Sequence, residues 1–229
     1  MTQIKLTWHG HSCFSIANDQ YSLVIDPYQG DKIGYPPLNI KAHAMLSSHD
    51  HHDHNCKAAV EFLAAPEGIL KEIDLAQAWP LDPDPDIFYF KKLFTKHDEA
   101  GGTKRGSNTI HIILSAGVKI VHFGDLGHEL TDEQRFALAD LDLAFIPVGG
   151  YYTIDAGQAY DIVRQIRPAN VIPMHFTWQH GSLPIATVEP FIYLVQSLYH
   201  IERINGAELI DAGANTGRCY VFSSMVSQS

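Results

Sequence analysis

Ser48-His49-Asp50-His51-His52-Asp53-His54 sets four imidazoles and two carboxylates into seven residues. Histidine is the commonest metal ligand and the side chain whose proton moves near neutral pH, so such crowding points to metal or proton chemistry. Within the run, His49, His51, Asp53 and His54 form the pattern H-x-H-x-D-H. Extended backbone sends alternate side chains to one side, which lets His49 and His51 approach one cation together. Asp53 and His54, where the chain turns away, can then face a second cation close by. Neutral imidazoles with a carboxylate suit zinc, and also manganese or iron. A solvated histidine-rich loop or a purification tag would look different: this run is internal and interrupted by acids.

The elements that must hold it are short. Strand-like runs at 4–8, 13–16, 21–25 and 42–47 are β-branched or aromatic and separated by turn residues, and the last stops at the histidines. Residues 57–65 carry apolar positions at helical spacing with Asn55 as a cap, and so read as a helix. Strand character returns at 87–90 with 93–94, at 109–114 and at 118–123. Thr131-Asp132-Glu133-Gln134 resembles a capping box opening a helix to about 139. A strand at 143–148, a helix at 156–166, a strand at 171–174, a helix at 188–198 and strands at 207–210 and 219–222 complete the reading. The proline-rich stretch 80–86 reads as a surface loop. Strands in two batches, each followed by helices, predict an α/β (α+β) chain with two sheets face to face and helices outside.

Composition bounds the rest. A length of 229 residues fits one domain over 1–229, and 18% charged residues argue against disorder. With 16 Lys+Arg against 26 Asp+Glu the net charge is −10, a poor match to phosphate-rich nucleic acid or anionic membrane. No apolar run approaches the roughly 18 residues of a membrane span, and the first residues lead into no signal-peptide core. Cys13, Cys56 and Cys219 are odd in number and lack a CxxC spacing, which fits reduced thiols and a cytoplasmic protein.

The cluster, coming after a strand, resembles the signature of the metallo-β-lactamase superfamily, whose fold is a four-layer αββα sandwich. Trp8-His9-Gly10-His11-Ser12-Cys13-Phe14 and Val24-Ile25-Asp26-Pro27 resemble the opening of its broad branch of metal-dependent hydrolases. That branch includes ascorbate-6-phosphate lactonase and the phospholipase D acting on N-acyl phosphatidylethanolamine. Thr95-Lys96-His97-Asp98, Phe123-Gly124-Asp125 and Ile172-Pro173-Met174-His175-Phe176 fall where the later family elements lie. The resemblance implies two divalent metal ions. His49, His51 and His97 would hold the first; Asp53, His54 and His175 the second; Asp125 and a hydroxide would bridge them. It further implies that Asp26 supports a ligand imidazole. Between the cluster and Asp125, His111 and His122 compete with His97, but both fall within strand-like runs, whereas His97 precedes a Gly-containing loop. His122 remains available to support the site.

Weaker features follow strand ends. Tyr152 could donate to a developing oxyanion or simply wall the pocket. Trp178, His180 and His128 fall just after strand ends and could touch substrate, and Lys104-Arg105 could meet an anionic group or simply stand solvated in a loop. His9 and His11 lie in a turn, and their spacing does not mark them as ligands. The resulting expectation is a hydrolase of a small ester, lactone or phosphodiester, with Asp53 orienting the nucleophile. A nuclease, or a metal-binding protein without turnover, stands as the alternative. An oxygen- or nitric-oxide-reducing di-iron protein is disfavoured, because such superfamily members place a carboxylate where His51 stands.

Overall fold

In the computed structural model, which describes residues 3–179, 181–211 and 215–225, the chain opens as an antiparallel meander. Its strands are β1 (Lys5–Gly10), β2 (Cys13–Ala17) and β3 (Ser22–Ile25). Alternation sorts their side chains. Leu6, Trp8, Phe14, Ile16, Leu23 and Ile25 enter the main core, while Cys13 and Val24 reach a smaller one on the opposite face. β4 (Ile40–Ala42) and β5 (Ala44–Leu46) follow, and β5 lies parallel to β3.

The long middle of the chain supplies β6 (Val60–Phe62), β7 (Leu70–Glu72), β8 (Phe88–Lys96), β9 (Ser107–Ser115), β10 (Val118–His122), β11 (Leu143–Pro147) and β12 (Asn170–Met174). β13 (His200–Ile204), β14 (Glu208–Ile210) and β15 (Arg218–Phe222) end it. One sheet has the order β14-β1-β2-β3-β5, a second β13-β15-β12-β11-β10-β9-β8-β7, and β4 pairs with β6 alone. The last strands divide between the two large sheets and tie them together. Ring contacts such as Phe14–Phe145, 4.4 Å between centroids, bridge the sheets. β11 and β12 are buried at every position, as parallel strands covered on both faces require.

Four helices among the described residues complete the sandwich: α1 (Gly30–Ile33), α2 (Asp132–Ala137), α3 (Ala156–Ile166) and α4 (Glu189–Val195). Capping boxes Thr131/Gln134 and Asp155/Gln158 open α2 and α3 by satisfying amide groups the first turn leaves free. α3 and α4 send Ile162, Val163, Phe191 and Val195 into the main core. The αββα layering therefore holds, but its outer layers are uneven. The helix expected over 57–65 is absent: Lys57–Ala59 make one 3-10 turn, and Val60–Phe62 are a strand registered on Ile40–Ala42. Tertiary pairing overrides the helical spacing there, with Val60 and Phe62 suited to extended backbone and Pro66 closing the segment. The outer face of the first sheet is instead covered by Tyr28, Ile33, Tyr35 and Ile40 on largely irregular chain. The 80–86 stretch is a loop, with Leu81 fully exposed and the Pro85 and Asp86 carbonyls accepting from Asn18 Nδ2. Among the described residues, no helix is long and apolar enough to cross a membrane.

Candidate metal centre

The carboxyl ends of six strands deliver the chemistry. His11 follows β1, Asp26 follows β3, the histidine cluster follows β5, His97 follows β8, Asp125 follows β10 and His175 follows β12. Outside the carboxyl ends of parallel strands is where an open α/β sheet leaves a crevice. Three of these residues, His11, Asp26 and His175, share a left-handed backbone at φ 51. That conformation is uncommon for a residue with a Cβ and persists where surrounding structure imposes it, chiefly at functional sites. Gly124 (φ 55) is required for a related reason. A Cβ there would stand 2.4 Å from Ser48 Cβ and from Asn108 Oδ1. Glycine lets the end of β10 press against the cluster loop, and Asn108 Oδ1 then accepts from the Asp125 amide at 2.9 Å.

Asp125 lies at the middle. Its Oδ2 is 3.1 Å from His97 Nε2, 3.3 Å from His175 Nε2 and 3.9 Å from His49 Nε2; its Oδ1 is 3.2 Å from His54 Nε2. On one side the ligand atoms of His49, His51 and His97 gather within 4.8 Å of one another. On the other, those of Asp53, His54 and His175 gather within the same span, together with His11. All seven residues expected to bind metal thus meet at one place. His11 is an addition that sequence reasoning missed. The signal available was its position just after a strand, which it shares with the others.

Hydrogen bonds at the outer nitrogens aim the rings. His54 Nδ1 donates to Asp26 Oδ2 at 2.8 Å, so Nε2 faces inward. Asp26 also accepts from the Ser48 amide and hydroxyl, both at 2.7 Å, and Ser48 Oγ in turn pairs with His49 Nδ1 at 2.9 Å. His97 Nδ1 donates to the Tyr152 carbonyl at 3.1 Å. Tyr152 therefore orients a ring through its backbone, while its side chain lines the cavity above. Asn55 is not a helix cap. It clips the cluster turn, accepting from Ser47 Oγ and donating to Asp50, each at 3.0 Å. Removing the Asp26 charge, as in Asp26→Asn, is expected to weaken metal binding roughly 10–100-fold with little change in fold. Competition against a chromophoric chelator measures this, and unchanged affinity would contradict it.

The inner atoms fit a cation. His49 Nε2, His54 Nε2, both nitrogens of His175 and Asp125 Oδ1 are buried with no hydrogen-bond partner. Each such atom costs about 1–3 kcal/mol unless something satisfies it. Burial, reinforced by the neighbouring His54, pushes the His49 ring down to about 3. Burial would raise Asp125, but His175 and His54 outweigh it and hold the carboxyl well below its ordinary range. Burial would likewise lower His54, yet Asp125 and Asp26 carry it well above its ordinary value. Neutral lone pairs and ionised carboxylates are the forms that bind metal, so His49 and Asp125 stand ready while His54 must release a proton when an ion enters.

His111, His122 and His128 have partners of their own. His111 Nε2 pairs with the Ser47 carbonyl at 3.0 Å, and His122 Nε2 with the Ser12 carbonyl at 2.9 Å. His122 Nδ1 lies 3.8 Å from Asp26, so it borders the support of His54 rather than the inner set. His128 accepts from the Lys96 amide, and Trp178 packs edge-on against Trp8. His180 lies outside the described residues. Burial lowers His9 to about 4 and also lowers His111 and His122. Below about pH 6.5 these rings take up protons when unfolded but resist them when folded. The metal-free protein should therefore lose stability, by several kcal/mol in sum, as pH falls from about 6.5 toward 4. His54 acts oppositely: its contribution is full below about 6.5 and fades as pH rises through its elevated folded value. Denaturant titrations near pH 7 and pH 4.5 check the net, and equal midpoints would contradict it.

Comparison with known proteins places this geometry in a lineage. The model of the β-lactamase superfamily domain matches residues 5–175. The chain belongs to the β-lactamase superfamily. The matched span begins with β1 and ends on His175, so it includes every residue of the centre. A UPF0173 metal-dependent hydrolase of Thermoplasma acidophilum is 31% identical over 191 residues, covering 77% of this chain and 84% of that one. Another, from Desulforamulus reducens, is 30% identical over 196 residues, covering 76% and 86%. The chain is thereby a member of the UPF0173 metal-dependent hydrolase family. A crystal structure of a metallo-β-lactamase superfamily protein from Thermotoga maritima shares the fold, with TM-score 0.67, 23% identity and coverage of 96% and 98%.

Above the centre, this superfamily member has an open cavity of about 290 Å³, lined by His51, Asp53, His97, Lys104, Arg105 and Tyr152 among others. The loop bearing the two cations is anchored by the Asp98 carboxylate, which accepts from the amides of Ala100, Gly102, Lys104 and Arg105 at 2.8–3.0 Å. The Arg105 guanidinium lies 5.4 Å from the centre of the Tyr152 ring.

Proposed function

We propose that the chain is a dinuclear metal-dependent hydrolase acting on a small ester, lactone or phosphodiester. The observation that carries this reading is the pair of ligand clusters sharing the one buried carboxylate of Asp125. His49, His51 and His97 would hold the first ion, Asp53, His54 and His175 the second, and Asp125 both. Zinc is the ion we favour for this nitrogen and oxygen donor set, which also accommodates manganese or iron. Two such ions, when bound, supply an acidified water and an electrophilic clamp for the oxygen that gains charge in the transition state.

The chain's own residues supply the rest. Asp53 is at the edge of the cavity with 15% of its side chain exposed, and it lies 3.8 Å from His54 Nε2. Burial opposes its ionisation, but His11 and His54 overcome this and hold it well below the usual carboxylate range. It can therefore accept a hydrogen bond from the attacking water and pass a proton toward the leaving group. Lys104 and Arg105 bring positive charge to the lining of the same cavity, which favours substrates carrying an anionic group. Turnover of phosphodiester, lactone and ester panels by wild type and by His49→Ala tests the reading. Activity on one class that vanishes in the variant is expected; equal activity in both would contradict it. Arg105→Ala should raise KM about tenfold for a phosphodiester while leaving KM for a neutral ester nearly unchanged. A parallel loss on both substrates would assign Arg105 a structural part instead.

A further inference from the structure

We propose that His11 is a further ligand of the second ion, beside Asp53, His54 and His175. The inference rests on the dinuclear reading and adds a residue from the first hairpin to it.

Three observations carry it. First, the His11 ring is fully buried and neither nitrogen has a hydrogen-bond partner. Among the described buried histidines outside the expected ligand set, His9 pairs with Ser15 Oγ, His111 with Ser47 and His122 with Ser12. Only His175, itself in the inner set, shares the condition of His11. A structural histidine at this depth would satisfy at least one nitrogen, because a buried polar atom left unpaired is costly. Second, the spacing is that of shared coordination rather than hydrogen bonding. His11 Nε2 lies 3.7 Å from Asp53 Oδ2, too far for a good hydrogen bond. Two ligands each about 2.1 Å from one ion stand roughly 3.0–3.4 Å apart, so a small inward movement completes the set. The ring is 4.2 Å from that of His175 and 5.4 Å from that of His54, centroid to centroid.

Third, the backbone is built to hold the ring there. His11 has the left-handed φ of 51 that His175 and Asp26 also adopt. Its carbonyl accepts from the His175 amide at 3.4 Å and from Trp8 Nε1 at 3.2 Å, and the next carbonyl, of Ser12, meets His122. The turn between β1 and β2 is thereby fastened to the end of β12.

A consequence is asymmetry. The second ion gains a third imidazole in a buried pocket, while the first depends on His51, which is exposed. The two ions should differ in affinity, with the second retained longer under a chelator.

The test is zinc titration of metal-stripped protein against a chromophoric chelator, for wild type, His11→Ala and the volume-conserving His11→Gln. The expected result is two unequal affinities in wild type, with the tighter weakened at least about tenfold in both variants. X-ray absorption on His51→Ala carrying one equivalent of zinc, in which the first cluster keeps only two imidazoles, should count three imidazoles on the ion. Two ions in wild type with unchanged affinities in both variants, or two imidazoles on the tight ion, would overturn the role of His11 and leave the dinuclear reading standing. Fewer than two ions in wild type would overturn both.

Discussion

Asp125→Asn is expected to lower kcat by about 10³-fold or more, the loss of roughly 4 kcal/mol of transition-state stabilisation. The reason is geometric. Among the described residues this carboxylate is the only acidic group within 3.9 Å of imidazoles from both clusters, facing His49 and His97 on one side and His54 and His175 on the other. Asparagine keeps the shape and the amide bond to Asn108, so the loop should remain in place. What disappears is the negative charge that the two sites share. Metal content should fall along with turnover, and rate and elemental analysis on one preparation would show the two declining together. A variant that keeps full metal content and a rate within tenfold of wild type would remove Asp125 from the account.

Asp53→Ala should be nearly as severe, with turnover lost while the fold survives. Asp53 sits at the edge of the cavity with 15% of its side chain exposed, and its charged neighbours among the described residues are His11 at 3.7 Å and His54 at 3.8 Å. On the proposed reading its loss would take one ligand from the second ion and remove the carboxylate placed to handle the proton, two effects that would act on the same step. Far-ultraviolet circular dichroism should be unchanged and kcat should drop by about 10²–10⁴-fold, the range typical of a lost general acid–base group. Full activity in this variant would remove both roles at once.

Much of the centre is legible before any fold is known, because H-x-H-x-D-H compresses four of its side chains into six residues. His97, Asp125 and His175 are legible only through the order of elements, each following a strand-like run. His11 was not, since its place depends on the end of β1 meeting the end of β12, a contact across more than 160 residues that no local spacing encodes. Tyr152 shows a different limit: residue type advertises a hydroxyl, whereas its closest tie to the centre is a main-chain carbonyl. Strand positions were readable from β-branched and aromatic runs, and the α2 and α3 starts from their capping residues. Residues 57–65 misled because apolar spacing is silent about partners. Val60–Phe62 form a strand only because Ile40–Ala42 lie alongside. The short α1, β7 and β13 were invisible for the same reason, each being fixed by tertiary pairing or packing rather than by its own periodicity.

The most direct test of the central claim is elemental analysis of protein purified without chelator or added metal, with Asp53→Ala and His175→Ala beside it. The account predicts about two equivalents of divalent metal in wild type, falling toward about one in each variant, because both residues serve the same ion. About one equivalent or fewer in wild type, unchanged by either substitution, would mean that the second cluster holds no ion and that the dinuclear centre does not exist.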